Sequence, residues 1–360
     1  LIVFDELARQ GHEQVLFGHD PVSGLRAIIA IHSTALGPAL GGTRFFPYES
    51  EEDAIADALR LARGMTYKSA AAGLDLGGGK AVIIGDPHTD KTERLLRAYG
   101  RMVDSLQGRY ITAEDVGTTT ADMDVIARET RWVVGKSRAM GGAGDPSPVT
   151  ARGLFAATRA VAEKLYGTTD LSERTFAVQG VGKVGSAFVQ LLVEARAKVV
   201  VADSFPPALE AAKEKFGVET VPLGEIHQVE CDIFSPCALG GVLNEETIPE
   251  MSCKAVVGSA NNQLATEKDA ERLHDRGILY APDFVVNAGG VINCFDELQG
   301  YNRERALYLV DSIYHSTKRI LEVAETERIL PVQAAEKVAE QRISEIGDLR
   351  RFRRSGDDRA

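Results

Sequence analysis

Two lysines stand beside glycine-rich stretches, in Gly64-Met65-Thr66-Tyr67-Lys68 and Gly77-Gly78-Gly79-Lys80. Glycine lets a ligand approach the main chain closely. A lysine near a second lysine and partly removed from water should lose some proton affinity and could then act as a base. Thr112 to Gly117 adds a carboxylate, Asp115, in a segment of loop character. Surface solvation is the better reading of any single lysine, and spacing alone does not bring Lys68, Lys80 and Asp115 together.

A second set is Gly180-Val181-Gly182-Lys183-Val184-Gly185. It follows the strand-like run Thr175 to Gln179 and opens a helix read over 184–195. The next strand-like run, Lys198 to Ala202, ends at Asp203. This is the context of a dinucleotide fingerprint. The first glycine permits the turn, the second leaves room for a pyrophosphate, and the third lets helix and strand pack. The helix N-terminus supplies free N–H groups for the phosphates. Asp203 would bind the adenosine ribose hydroxyls and repel a 2′-phosphate. No arginine follows closely in Ser204 to Ala208, so NAD is expected over NADP.

The surrounding elements form two blocks. In the first, Leu25 to His32 reads as a strand. Ser50-x-x-Asp53 resembles a capping box. Ile55, Ala58, Leu59, Ala62 and Met65 recur at helical spacing, and that helix is expected to end near Gly64, leaving Lys68 just beyond it. Ala81 to Ile84 reads as a strand stopped by Gly85-Asp86-Pro87. The second block alternates strands and helices, as parallel α/β sheets do. Its further strand-like runs are 232–234, 255–257 and 278–280.

The 360 residues are 44% hydrophobic and 26% charged, the balance of a folded globular chain. A net charge of −11 argues against a general nucleic-acid binder. No apolar run approaches the ~18 residues of a membrane span, and the N-terminus has no signal-peptide pattern. The four cysteines and seven histidines show no metal-ligand spacing, so reduced thiols, no metal and a cytoplasmic setting are expected. The charged end at 350–360 reads as a solvated or frayed terminus.

Eight segments in order resemble the amino-acid dehydrogenase superfamily of glutamate, leucine, phenylalanine and valine dehydrogenases, most closely its leucine and valine branch. They are LGPALGGTRF (36–45), GMTYK (64–68), LGGGKAVIIGDP (76–87), ITAEDVGT (111–118), GVGKVG (180–185), CDIFSPCALGG (231–241), GSANNQL (258–264) and YAPDFVVNAGGVIN (280–293). The resemblance implies an α/β protein. A catalytic and oligomerisation domain would span 1–135, with C-terminal helices over about 331–360 packing back on it. A Rossmann-type NAD domain would span 136–330, with substrate in a cleft between the two. It also implies site roles. Lys68 would bind the substrate α-carboxylate, near Gly41 and Gly42. Lys80 would be the general base and acid, and Asp115 would exchange protons with the amino group or departing ammonia. Asn262 would contact substrate or cofactor, and Thr150 the nicotinamide amide. The pocket walls would include Leu40, Ala113, Val291 and Cys294.

Glutamate dehydrogenases carry a lysine where this chain has Leu40, and that lysine pairs with the substrate's side-chain carboxylate. Leucine cannot do so, which implies an apolar pocket. Cys294 stands where leucine dehydrogenases commonly have valine, leaving the choice among leucine, valine and isoleucine open. The implied activity is reversible, NAD-dependent oxidative deamination of a branched-chain L-amino acid to its 2-oxo acid and ammonia, by a homo-oligomer (octamer or dimer). The rival readings are a phenylalanine- or glutamate-type dehydrogenase and a non-catalytic NAD-binding protein.

Overall fold

The computed structural model describes residues 3–347 and 349, so the charged end at 350–360 lies outside the described residues. Two compact units emerge. One runs to Gly144 and takes in the chain from Lys337 onward, and the other is Asp145–Glu336.

The first unit is built on five strands: β1 (Gln14–Asp20), β2 (Leu25–Ser33), β3 (Ala39–Phe46), β4 (Gly77–Ile84) and β5 (Tyr110–Glu114). Their order is β1-β2-β4-β3-β5, antiparallel from β1 to β4 and parallel from β4 to β5. Side chains alternate across such a sheet. Ala27, Ile29, Ile31, Ala81 and Ile83 face one core, built with α3 (Glu93–Asp104) and α4 (Thr120–Ile126). Ile28, Ala30 and Val82 face the other, against Ala54, Ala58, Leu59 and Ala62 of α2 (Glu51–Ala71) and beside α1 (Val3–Gln10).

Helix α2 starts as the sequence indicates, with Ser50 accepting from the Asp53 amide. It does not stop at Gly64. Thr66, Ser69, Ala70 and Ala71 are buried and carry it one further stretch to Ala71. A mid-helix glycine costs about 1 kcal/mol, less than burying that last turn returns. Lys68 therefore lies in the final turn of the helix rather than beyond it. The Gly77–Gly79 run is likewise strand, the first part of β4. A Cβ on Gly78 would come within 2.1 Å of the Thr66 backbone nitrogen. These glycines thus admit the protein's own helix.

Thr66 is held in turn by His32. The His32 Nε2 faces the Gln10 carbonyl at 3.0 Å, so it carries the proton and donates. Nδ1 is left to accept from the Thr66 hydroxyl at 2.8 Å. Burial, with nearby His12 and Arg63 adding to it, drives the His32 pKa down to about 4. A lowered imidazole pKa means that the unfolded chain binds more protons, so this contribution is present above about pH 6.5 and disappears as pH falls toward 4. The window is worth about 3 kcal/mol. Thermal unfolding between pH 7 and 4.5 should therefore fall more steeply for the native chain than for His32→Gln. Parallel slopes would remove His32 from the account.

The second unit carries β6 (Thr175–Gln179), β7 (Lys198–Ala202), β8 (Glu219–Thr220), β9 (Ile233–Pro236), β10 (Ala255–Val256) and β11 (Leu279–Tyr280). All pairs are parallel and the order is β11-β10-β9-β6-β7-β8. That is the doubly wound dinucleotide-binding arrangement, with its switch point between β6 and β9. Its helices are α5 (Ser147–Tyr166), α6 (Lys183–Glu194), α7 (Pro206–Phe216), α8 (Lys268–Asp275), α9 (Asp283–Val286), α10 (Gly289–Glu297), α11 (Arg303–Asp311) and α12 (Ile313–Glu327). The last helix, α13 (Pro331–Gly347), returns to the first unit. There Glu340 accepts from the Tyr67 hydroxyl at 2.9 Å, and Arg342 pairs with Asp75 at 2.8 Å. Among the described residues, no helix is long and apolar enough to cross a membrane, and no group of three or more His, Cys, Asp or Glu is placed to hold a metal.

Candidate active site

Strand alternation puts Lys80 on the same face as Gly78 and Val82, the face covered by α2. It is 6% exposed. Asp115 is the first residue past β5, so the expected loop segment is half strand. Across the β4-β3-β5 register, Lys80 donates to Asp115 Oδ2 at 2.5 Å. Gly42 makes this contact possible, because a Cβ there would sit 2.8 Å from the Asp115 Cβ. Gly41 faces the other way, where a Cβ would meet the Gly79 carbonyl oxygen at 1.7 Å. The Tyr110 hydroxyl donates to the Gly41 carbonyl at 2.6 Å, which steadies the same stretch of β3.

Burial lowers the proton affinity of Lys80. The Asp115 charge pulls the other way, and the Arg44 cation adds to the lowering. Arg44 is thus a neighbouring cation of the kind the sequence reading sought in a second lysine. Asp115 would be raised by its own burial, but Lys80 and then Arg44 outweigh that and hold its carboxyl below the usual range. The site thus keeps an ionised carboxylate beside an amine that yields its proton readily. That is the equipment of general acid–base chemistry.

Sequence reasoning missed Arg44. It donates from Nε to Asp115 Oδ2 at 3.2 Å and from NH1 to Asp57 of α2 at 2.8 Å. The signal was available: a guanidinium inside a strand of buried residues needs partners. Two further named residues of this unit lie in the sheet. Leu40 is buried in β3 opposite Gly78 and Ile111, and Ala113 pairs with Gly42. Lys68 is partly buried on α2.

In the second unit each fingerprint glycine has its own reason. Gly180 has φ +97°, and a Cβ there would meet Ala238 at 2.6 Å. Gly185 lies against the Gly180 carbonyl oxygen, 2.0 Å from where its Cβ would be. Gly182, the N-cap of α6, has nothing within 4 Å of that position. Space is thus left above a helix N-terminus, where an anion is stabilised. Val181 is buried, Lys183 is exposed and Val184 is partly buried. Asp203 accepts from the Val181 amide at 2.7 Å and from the Phe205 amide at 2.8 Å. Its carboxylate is thereby fixed at the end of β7, with lone pairs remaining for hydroxyl donors.

Thr150, on α5, lies 3.3 Å from where a Cβ on Gly290 would be. Val291 and Cys294 follow on α10, one helical turn apart. Asn262 is exposed and holds φ +53°, an uncommon conformation for a non-glycine residue. Its carbonyl accepts from the Gly241 amide at 2.8 Å, joining the loops that follow β9 and β10.

The description Glu/Leu/Phe/Val dehydrogenase, dimerisation domain, matches residues 12–132. Glutamate/Leucine/Phenylalanine/Valine dehydrogenase matches 141–205 and 207–350. The chain belongs to the Glu/Leu/Phe/Val dehydrogenase family. This dehydrogenase is 52% identical over 359 residues to leucine dehydrogenase of Bacillus cereus, covering 99% of this chain and 98% of that one. It is 54% identical over 338 residues to valine dehydrogenase of Streptomyces coelicolor, covering 93% of each. Its fold is similar to the crystal structure of L-tryptophan dehydrogenase from Nostoc punctiforme, with a TM-score of 0.87 and 44% identity over 96% of this chain and 99% of that one. Enzymes of this family use a nicotinamide cofactor, and the open Gly182, the free end of α6 and the anchored Asp203 of this dehydrogenase suit one.

Proposed function

We propose that this dehydrogenase oxidatively deaminates branched-chain L-amino acids, leucine with valine and isoleucine, to the 2-oxo acid and ammonia, with NAD as the cofactor and reversibly. The observation that carries this reading is the contact of buried Lys80 with Asp115 at 2.5 Å. The leucine and valine dehydrogenases to which the chain is similar support the substrate class. Initial rates of NAD reduction at alkaline pH, across the branched-chain, aromatic and acidic amino acids, test it. Fastest turnover of a branched-chain substrate supports the reading, and glutamate as the fastest substrate refutes it. Likeness to a tryptophan dehydrogenase favours an aromatic L-amino acid as the second reading.

Bound nicotinamide supplies the acceptor for the hydride on the substrate Cα. The chain does the rest. Lys68 binds the α-carboxylate and fixes which hydrogen is presented. Asp115 takes a proton from the substrate ammonium so that the nitrogen lone pair forms the iminium as hydride leaves Cα, and neutral Lys80 then takes a proton from the water that attacks that carbon. The carbinolamine so formed gives up its hydroxyl proton as its nitrogen gains one, and Asp115 carries that exchange. Ammonia leaves and the 2-oxo acid remains. Thr150 would hold the nicotinamide amide, and Asn262 would contact substrate or cofactor. Leu40, Ala113, Val291 and Cys294 supply the apolar wall.

The carboxylate of Asp203 would oppose a 2′-phosphate. Like-charge juxtaposition costs several kcal/mol, so kcat/KM with NADP is expected to be roughly a hundredfold lower than with NAD. Asp203→Ser should narrow that ratio, and an unchanged ratio in the variant would discard this role. A homo-oligomer is part of the reading, supported by the dimerisation domain that the family description names.

A further inference from the structure

The charged groups around Lys80 form a chain that runs from β4 through β3 to α2. Lys80 of β4 and Arg44 of β3 both donate to one oxygen, Asp115 Oδ2. Arg44 continues to Asp57 Oδ2 on α2. That oxygen also accepts from the Tyr48 hydroxyl at 2.6 Å, and Asp57 Oδ1 accepts from Arg60 at 2.7 Å. Lys68 follows on α2, in its last turn. The Asp57 side chain is 15% exposed and that of Arg44 23%, so water screens neither fully. In such a setting a charge one residue removed still acts on its neighbour.

We propose that Arg44 is a positioning residue, and that Arg44 and Asp57 set the protonation of Lys80 by opposite effects through the shared Asp115 oxygen. Arg44 opposes a proton on Lys80 directly, and it also draws off part of the attraction of Asp115. Asp57 counters Arg44. Removing Arg44 must therefore make Lys80 hold its proton to higher pH. Removing the Asp57 charge must do the reverse, because Arg44 is then uncompensated. A residue that merely stabilised the fold would not give two shifts of opposite sign.

This rests on the reading of Lys80 as the base, so the test has a readout independent of that role. The full-length enzyme is made as Arg44→Met, Arg44→Lys and Asp57→Asn. The pH dependence of Lys80 acetylation by acetic anhydride is followed by peptide mass mapping, and kcat/KM for leucine is followed over the same pH range. Arg44→Met should move the Lys80 midpoint up by about half a pH unit or more, and Asp57→Asn should move it down. Arg44→Lys, which keeps the charge, should stay nearer the native midpoint whatever its turnover. If Arg44→Met fails to fold, Asp57→Asn and Arg44→Lys still decide. Midpoints that stay put, or that move in one direction for both charge-removing variants, overturn the proposal. Acetylation midpoints that move as expected while the rate profiles do not would uphold the Arg44 proposal and refute Lys80 as the base.

Discussion

Lys80→Ala is expected to cut kcat for leucine by roughly 10³-fold, the middle of the range for losing a positioned acid–base group. The expectation follows from burial. Lys80 is 6% exposed, and its amine lies 2.5 Å from the Asp115 carboxylate, so bulk buffer cannot easily stand in for it. The fold should survive the change, because Arg44 still pairs with Asp115. Binding of NADH, followed by its fluorescence, should remain close to native. The Asp203–Val181 contact and the packing of Gly180 and Gly185 lie within the second unit. Turnover within about tenfold of the native rate would remove Lys80 from the mechanism.

The second large effect concerns side-chain choice. Leu40 is 2% exposed in β3 and brings no charge to meet a substrate carboxylate. Burying an unpaired carboxylate costs several kcal/mol. Glutamate is therefore expected to show kcat/KM roughly 10³-fold below leucine. Leu40→Lys should raise the glutamate-to-leucine ratio by about a hundredfold, much of it through loss of leucine activity. Steady-state rates with both substrates decide this. A ratio that does not move on Leu40→Lys would place the side-chain pocket elsewhere.

The parts of the molecule that were legible in the sequence are those whose cause is local. Gly180, Gly182 and Gly185 each answer a different demand within six residues: a positive φ, an open approach and a close packing. Their spacing encodes all three. The start of α2 was legible for the same reason, since Ser50 and the Asp53 amide are three residues apart. Its end was not, because Thr66 is held by β4 and by His32, distant in sequence. Tertiary burial overrode the low helix propensity of Gly64.

The Lys80–Asp115 pair shows the same limit. Its members are 35 residues apart and meet only because β3 lies between β4 and β5 in the sheet. Composition and spacing gave no means of seeing that, and resemblance to the family supplied it. Arg44 was missed although it stands inside one of the matching segments. Its importance lies in the partners it finds, Asp115 and Asp57, which the folded sheet and α2 bring to it. The residues proposed for the apolar wall, Leu40, Ala113, Val291 and Cys294, stand far apart in the chain, and only the family resemblance draws them into one list.

Product stoichiometry tests the central claim most directly. The enzyme is incubated with L-leucine and NAD at alkaline pH, and NADH, ammonia and the 2-oxo acid are quantified together. Equal amounts of all three are expected. NADH formed without matching ammonia, or no NADH from leucine, valine or isoleucine, would contradict oxidative deamination of branched-chain amino acids.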